Sequence, residues 1–557
     1  MKYRLLYLFV VINAFVFQLA AQDVHERVYV HTDKQSYLTG EMVWMKLYTT
    51  DGDGRLQTLS KVGYVELVSA TDPEAQVKIE LADGVGSGWL EVPSALKTGY
   101  YHLVAYTRYM HNEGESVFYQ KPILIINPFE LEGQRAAGNI SDSPMPGEEY
   151  GANTTTIALS TNKSGYTKRE KGEIRISRLP EEAVSLSVSI AGEEPFVVNT
   201  NTIARWKKEL PAKKNNSLSG SLLPEYEGAI IDAVLVNMDT EATESASDVT
   251  TLLSFPGKEI QLFGGQADDK GNVSFYTQQV TGKKELTTTA ISANGKRFRV
   301  DLKPLVSRYS ATLPVFSAGL IEQDYLLYRN LSVQVSQAYL ADKVQFQEIP
   351  VYSYLNSSRE YVLDNYTRFP NMEEVFLEFI SMARIRKINN NRFFSVLLEG
   401  QRDFSSGYAL VLLDNIPITD HDKMCDYNPL LIRKIDIYQG NYSFGGNIFS
   451  GIVSFSTYNN DYPGIVFDES TQLLDYEGTQ VNRYFYSPDY GVEPVNSRMP
   501  DFRHTLLWEP LLDSEGRQTI TIPFYTSDLT GKYQITVEGI GREGTIIFKQ
   551  STFEVTE

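Results

Sequence analysis

The apolar residues of this chain arrive in short runs of period two, and that spacing commits most of it to strands. The runs Val28-Tyr-Val30, Met42-Val-Trp-Met-Lys-Leu47, Tyr64-Val-Glu-Leu-Val68, Trp89-Leu-Glu-Val92 and Tyr100-Tyr-His-Leu-Val-Ala105 alternate apolar with polar positions, and turn-forming clusters such as Asp51-Gly-Asp-Gly54 and Lys97-Thr-Gly99 separate them. Short strands at this spacing predict a β-sandwich of roughly 100 residues. With 557 residues the chain is too long for one core and must divide into several domains. Helical spacing is scarce. Its clearest instance opens at Asn371, a fitting N-cap with Glu374 at the capping-box position, and continues through Val375, Phe376, Phe379, Ile380 and Ala383.

The fold class expected is therefore mainly β: tandem Ig-like sandwiches with one small α+β domain near the C-terminus. Residues 1–22 read as a signal peptide, with Lys2 and Arg4 before an apolar run and the small-residue stretch Leu19-Ala20-Ala21-Gln22. A first sandwich occupies residues 23–130, a Gly/Ser/Glu/Asn-rich linker 131–154, and a second β region 155–217. A third sandwich follows over 218–318, then a connector, 319–350, and the α+β domain, 351–457. A Tyr-rich extended linker covers 458–500 and terminal sandwich strands 501–557. No stretch of the mature chain competes as a transmembrane helix.

Two internal echoes support repeated modules. Thr32-Asp-Lys34 followed by Tyr37 and Glu41 recurs as Thr161-Asn-Lys163 followed by Tyr166 and Glu170. Gly88-Trp-Leu-Glu-Val92 before Thr98-Gly-Tyr100 has counterparts in Gly271-Asn-Val-Ser-Phe275 before Thr281-Gly282, and in Thr519-Ile-Thr-Ile-Pro-Phe524 before Thr530-Gly-Lys-Tyr533. Each of these last three reads as a hairpin whose register is set by its glycine turn.

Asp33-Lys34, Tyr37, Gly40-Glu41, Val43 and Thr98-Gly-Tyr-Tyr101 resemble the macroglobulin MG2-type sandwich, with a looser copy from Lys163 to Ile174. The segment from Ser219-Gly-Ser221 through Gly271-Asn-Val-Ser-Phe275 resembles a carboxypeptidase-regulatory-like sandwich, a module without catalytic residues of its own. Val411-Leu-Leu-Asp-Asn-Ile-Pro417, Asn428-Pro429, Ile435-Asp-Ile437, Gly440, Phe444-Gly445 and Gly451-Ile-Val453 resemble the plug domain of TonB-dependent outer-membrane receptors. In those receptors a barrel of ~22 strands encloses the plug. Only 100 residues follow Thr457, too few for such a barrel. The combination resembles exported proteins of Bacteroidetes-type bacteria and implies a periplasmic or outer-membrane-associated protein with a role other than transport.

Signals for chemistry are sparse. A formal charge of −19, from 51 basic and 70 acidic residues, repels a phosphate backbone, so nucleic acid is not an expected partner. The single cysteine, Cys425, excludes an internal disulfide framework and the Cys-x-Glu-Gln thioester motif. It reads better as a buried structural thiol than as a nucleophile served by His421. Asp420-His421-Asp422 with Asp426 is the one cluster of ligand-like density, and a solvated polar loop explains it more simply. Asp51-Gly-Asp-Gly54 lacks a Glu at the twelfth position, where Val62 stands, and reads as a turn rather than a calcium loop. The pairs Glu181-Glu182, Glu193-Glu194 and Glu373-Glu374 read as solvated charge.

No catalytic, cofactor-binding or metal-binding residue is therefore expected, and no cofactor. The leading expectation is a non-catalytic envelope binding or scaffold protein, its plug-like module docking on an outer-membrane or periplasmic partner through sheet edges and loops such as Tyr484-Phe-Tyr-Ser-Pro-Asp-Tyr490. The alternatives are a carbohydrate-binding accessory protein of a nutrient-uptake system, whose glycan would meet aromatics lining a concave patch, and an envelope-polymer enzyme.

Overall fold

The computed structural model describes residues 25–69, 72–130, 157–194, 202–213, 220–246, 248–292, 295–307, 313, 323–339, 345–346, 355–492 and 498–557. The expected signal peptide and the linker 131–154 lie outside them. The fold is mainly β, with several sheets and few helices. Among the described residues, no helix is long and apolar enough to cross a membrane. The chain divides into two compact units, Met1–Tyr226 with Val306–Gln347 and Gln480–Glu557, and Glu227–Leu305 with Glu348–Thr479.

The first unit holds two sandwiches of eight strands each. The strands of the first are Arg27–Thr32, Ser36–Leu38, Met42–Thr50, Val62–Val68, Pro73–Glu80, Val85–Glu91, Gly99–Tyr106 and Tyr119–Ile126. One sheet joins the first, third and sixth strands; the other runs second, eighth, seventh, fourth, fifth. The pleat explains why this sequence packs so: along the third strand Val43 and Met45 are buried while Met42 and Trp44 stay partly exposed.

The second sandwich repeats this topology strand for strand. Its first four strands are Ala158–Thr161, Gly165–Tyr166, Lys171–Ser177 and Val184–Gly192; its last four are Thr505–Asp513, Thr519–Tyr525, Gly531–Gly541 and Ile546–Val555. Ile174 pairs with Ile522 and Val188 with Val537, and all four lie in one apolar core. The stretches 155–217 and 501–557, read from sequence as separate segments, thus contribute halves of one sandwich. Alternation tells which face of a strand is buried, not which distant strand it pairs with.

Expected hairpins turn out to be crossings between sheets. In each sandwich of the first unit the sixth strand pairs with the third, whereas the seventh pairs with the fourth and eighth in the opposite sheet. A tyrosine pins each crossing: Tyr101 Oη donates to the Lys97 carbonyl (3.1 Å) and Tyr533 Oη to the Leu529 carbonyl (3.2 Å). The third echo behaves alike, since Asn272–Tyr276 pairs with Ile230–Asn237 and Lys283–Ser292 with Val249–Phe255.

In the second unit, Ile230–Asn237 lies in one sheet with Ala242–Thr243, Asn272–Tyr276 and Phe298–Lys303. The facing sheet runs Gln261–Gly265, Val249–Phe255, Lys283–Ser292, Thr471–Glu477. Its last strand comes from the stretch expected to be an extended linker. The α+β domain has a sheet of order Arg359–Val362, Ile432–Phe444, Asn447–Thr457, Leu410–Leu413, Ile416–Pro417. Asn371 caps its helix as expected, Oδ1 accepting from the Glu374 amide at 2.9 Å. The helix is shorter than its apolar spacing suggests, Met372–Glu378, because the period-two run Ala383-Arg-Ile-Arg-Lys-Ile388 takes over as a strand. Asn389 and Asn390, at φ +49° and +71°, turn it back onto Asn391–Val396. The α+β domain is thus inserted before the last strand of the third sandwich. Both are inserted between the fourth and fifth strands of the second.

Candidate functional site

The first echo is a hydrogen-bonded knot repeated nearly atom for atom. Thr32 Oγ1 donates to the Lys34 carbonyl (2.7 Å) and Thr161 Oγ1 to that of Lys163 (2.6 Å). Asp33 Oδ1 accepts from Tyr37 Oη (2.8 Å) and the Trp44 amide (3.2 Å); Asn162 Oδ1 accepts from Tyr166 Oη (2.6 Å) and the Glu173 amide (2.9 Å). Glu41 takes the Leu38 amide and ion-pairs with Lys34 (3.2 Å), as Glu170 takes the Thr167 amide and pairs with Lys163. The knot closes the turn that leads the short second strand parallel to the last strand.

In the first sandwich a charged hub covers the knot. The helix Gln323–Tyr339 brings in Arg329, 1% exposed, whose guanidinium donates to Glu41 (2.6 and 3.2 Å), Glu194 (3.2 Å), the Ser36 hydroxyl and the Ser36 carbonyl. Burial pushes the Glu41 carboxyl up, but Arg329 and Lys34 outweigh it and hold the group at about 2. Glu194, expected to be solvated, is buried here, and its carboxylate accepts from Ser36. Thr505 of the second sandwich adds a hydrogen bond to Asp33 Oδ2 (2.8 Å).

Beside the hub opens a cleft of about 440 Å³, lined by Met42, Trp44, Val333, Phe346, Tyr484, Phe485 and Tyr486, with Gln337, Arg483 and Thr505 among its polar groups. Trp44 and Trp89 stand directly opposite each other on neighbouring strands, and the Arg483 guanidinium lies over both indoles, 5.5 and 5.3 Å from their centroids. Phe485 meets Trp44 edge to face at 5.5 Å. Gln480 anchors this segment, its amide side chain bonding the backbone of Trp89 at both N–H (3.0 Å) and carbonyl (2.5 Å). The Tyr-rich loop predicted to bind is thereby split. Tyr484, Phe485 and Tyr486 reach the cleft, while Tyr490 is buried and donates to Asp501 (2.8 Å).

The other sequence candidates have structural employment. Asp420 caps the short helix His421–Cys425, and Asp422 and Asp426 both hold Arg392, at 2.7 and 2.8 Å. Among the described residues, no cluster of His, Cys, Asp and Glu could hold a metal ion. His421 Nδ1 accepts from the Phe394 amide, and burial lowers its pKa to about 4. Burial also pushes the Cys425 thiol up to about 12, which leaves almost no thiolate at neutral pH. Asp51 Oδ1 accepts from the amides of Asp53 and Arg55, closing the expected turn. Glu182 accepts from the Glu543 amide, and Glu373 lies 3.6 Å from Arg392.

Sequence reasoning missed Arg329, Arg483 and the platform of two tryptophans. The readable signal was Trp44 itself, a large aromatic on the outward phase of an alternating strand.

No protein family and no curated protein matches the chain. Among solved structures it is similar to the alpha-2-macroglobulin of Salmonella, at 9% identity and a TM-score of 0.24, covering 97% of this chain and 40% of that one. The native Escherichia coli alpha-2-macroglobulin gives 10% identity and a TM-score of 0.24, covering 96% of this chain and 40% of that one. The Escherichia coli adhesin FdeC gives 10% identity and a TM-score of 0.16, covering 50% of this chain and 65% of that one. The chain spans about 40% of the length of the macroglobulins. At these scores the likenesses assign neither a family nor an activity.

Proposed function

We propose that the chain is a non-catalytic binding and scaffold protein of the cell envelope, and that its ligand seat is the aromatic cleft of the first unit. The cleft of about 440 Å³ is the observation that carries this reading. It has the size and the mixed lining of small-ligand sites. Its rings are pre-positioned by cross-strand pairing and by the Gln480 clamp, so binding costs little ordering. Of the acids and bases singled out along the sequence, Asp420 caps a helix, Asp422 and Asp426 hold Arg392, and His421 and Cys425 are buried. The test is a microarray of envelope glycans probed with the wild-type chain, Trp44→Ala and Phe485→Ala. Binding that both variants lose supports the reading; equal binding by all three, or none by the wild type, overturns it.

Exposed apolar side chains on the α+β domain favour a second role, docking on an outer-membrane or periplasmic protein. Leu377, Ile448 and Tyr408, at three separate places in this domain, are 83%, 72% and 67% exposed, apolar surface that docking would cover. The test is capture from solubilised envelope with the full chain against one lacking residues 371–457. Recovery of a barrel protein only by the full chain supports docking, and identical recovery by both removes it.

A further inference from the structure

The buried arginines Arg27, Arg329 and Arg503 of the first unit are each met by carboxylates, while the buried lysines Lys46 and Lys121 are held by neutral oxygens. Arg27 binds Glu113 through both guanidinium branches (2.7 and 2.8 Å), Arg329 binds Glu41 and Glu194, and Arg503 binds Asp501 through two contacts of 2.8 Å. The Arg483 guanidinium is held differently, by aromatic faces. It is partly buried in the cleft, and its neighbours are the faces of Trp44 and Trp89. Among the described residues no carboxylate lies within ion-pair distance of its guanidinium: Glu91, exposed at the end of the strand that carries Trp89, acts on it only from farther off, and Glu41, the acid lining the same cleft, is already held by Arg329 and Lys34. Indole faces hold a guanidinium through cation–π attraction without consuming its N–H donors. The cleft therefore presents a planar cation with hydrogen-bonding capacity to spare.

The surrounding groups narrow the ligand further. The strand bearing Trp44 is paired on both sides, with Arg27–Thr32 and with Val85–Glu91, and on that outer strand the Gln480 side chain already takes the Trp89 N–H and carbonyl, so the platform offers no free edge there for an extended peptide to add to. What remains is a set of aromatic surfaces, Trp44, Phe485, Tyr484 and Tyr486, interspersed with the polar side chains of Gln337, Ser332 and Thr505. A pyranose ring matches this lining. Its C–H face packs on an aromatic ring, its hydroxyls meet the polar groups, and a ring carboxylate supplies the anion that a guanidinium fork binds.

We infer that the cleft binds an acidic saccharide, a uronic-acid-containing glycan, with the carboxylate of one sugar on Arg483 and its ring against Phe485 and the neighbouring aromatics. This rests on the reading of the cleft as the ligand seat.

The experiment is calorimetric titration of the full chain with three probes: a galacturonic acid trisaccharide, its methyl ester, and tetra-alanine with a free carboxylate. Wild type, Arg483→Gln, Arg483→Lys and Phe485→Ala are compared, each checked for an unchanged unfolding midpoint. The acid trisaccharide is expected to bind wild type about 10- to 100-fold more tightly than the ester. Arg483→Gln brings the acid down to the ester's affinity and leaves the ester unchanged, Arg483→Lys restores part of the difference, and Phe485→Ala weakens both saccharides. Equal binding of acid and ester, or full affinity of Arg483→Gln for the acid, overturns the inference. If Phe485→Ala still abolishes binding in that case, the cleft remains the ligand seat and only the acidic chemistry fails. Tighter, Arg483-dependent binding of tetra-alanine replaces the saccharide with a peptide terminus. Absence of binding by every probe overturns the inference, and the glycan microarray then decides separately whether the cleft reading survives.

Discussion

The two sandwiches of the first unit share one topology and one knot, yet they differ in what surrounds each. In the first, only four residues of sequence, 69–72, separate the fourth strand from the fifth, and the knot at Asp33 is buried under Arg329 and Thr505. In the second, residues 193–504 occupy the same junction, and the knot at Asn162 is open to solvent. The motif therefore needs no cover to form: its hydrogen bonds are local and close the same turn in both places. Cover changes what a broken bond costs, because a polar group stranded away from water keeps the whole desolvation penalty. An aspartate and a glutamate were affordable in the buried copy because cations were brought to them.

The severest way to break this comparison is to end the chain before Thr505. That removes four of the eight strands of the second sandwich and none of the first, and the expected result is loss of amide-exchange protection along Lys171–Ser177 and Val184–Gly192. Survival of that protection would mean that the halves fold independently. Next in size is Arg329→Met. It strands two buried carboxylates and should cost about 3–5 kcal/mol in denaturant unfolding of the first unit. Lys163→Met at the exposed knot should leave the midpoint unmoved, and similar losses in both would erase the distinction between covered and bare copies.

A pH titration probes the face where the sandwiches meet. Burial pushes Glu538 of the second sandwich up to about 7 from an ordinary 4.5; Tyr29 Oη donates to it, His31 lies 3.9 Å away and Lys121 is a nearby cation. The folded state keeps this proton where the unfolded chain releases it. The stabilisation is therefore complete below about 4.5 and is lost as pH rises through about 7, with a slope of up to about 1.4 kcal/mol per pH unit. Glu538→Gln should flatten that part of the stability profile, and an unchanged profile would assign the slope to other groups. Smallest is the tyrosine pair. Tyr37→Phe should cost about 1–3 kcal/mol because Asp33 loses a buried donor, whereas Tyr166→Phe, with water at hand for Asn162, should cost about 0.5–1.5 kcal/mol. Equal costs would show that burial of the knot is energetically irrelevant.

Much of this was legible along the chain. Alternation gave the strands of the first sandwich, Asn371 gave a helix start, and the spacing from Thr32 to Glu41 and from Thr161 to Glu170 marked a repeat, though not the hydrogen bonds that make each copy a knot. What could not be read was partnership at long range. Ile174 and Ile522 each announce a buried face, but nothing local says that they face each other across an insertion. The hairpins misread at Lys97-Thr-Gly99 and Thr530-Gly-Lys-Tyr533 share that cause, since a glycine turn looks alike whether the next strand returns to its own sheet or crosses to the other. The cleft was the least visible part. Arg483 and Trp89 are ordinary residues until a strand pairing places two indoles side by side and Gln480 lays a guanidinium across them.

The nested insertion also sets a timetable for synthesis. The first sandwich has all its strands once residue 126 has emerged, whereas the strands of 158–192 must wait for partners encoded after residue 504. At about 5–20 residues per second that delay is about 15–60 s, during which the pair Ala158–Thr161 and Lys171–Ser177 has an open edge and Val184–Gly192 has no partner strand. A cell making this protein must keep those edges apart from one another until the last strands are made.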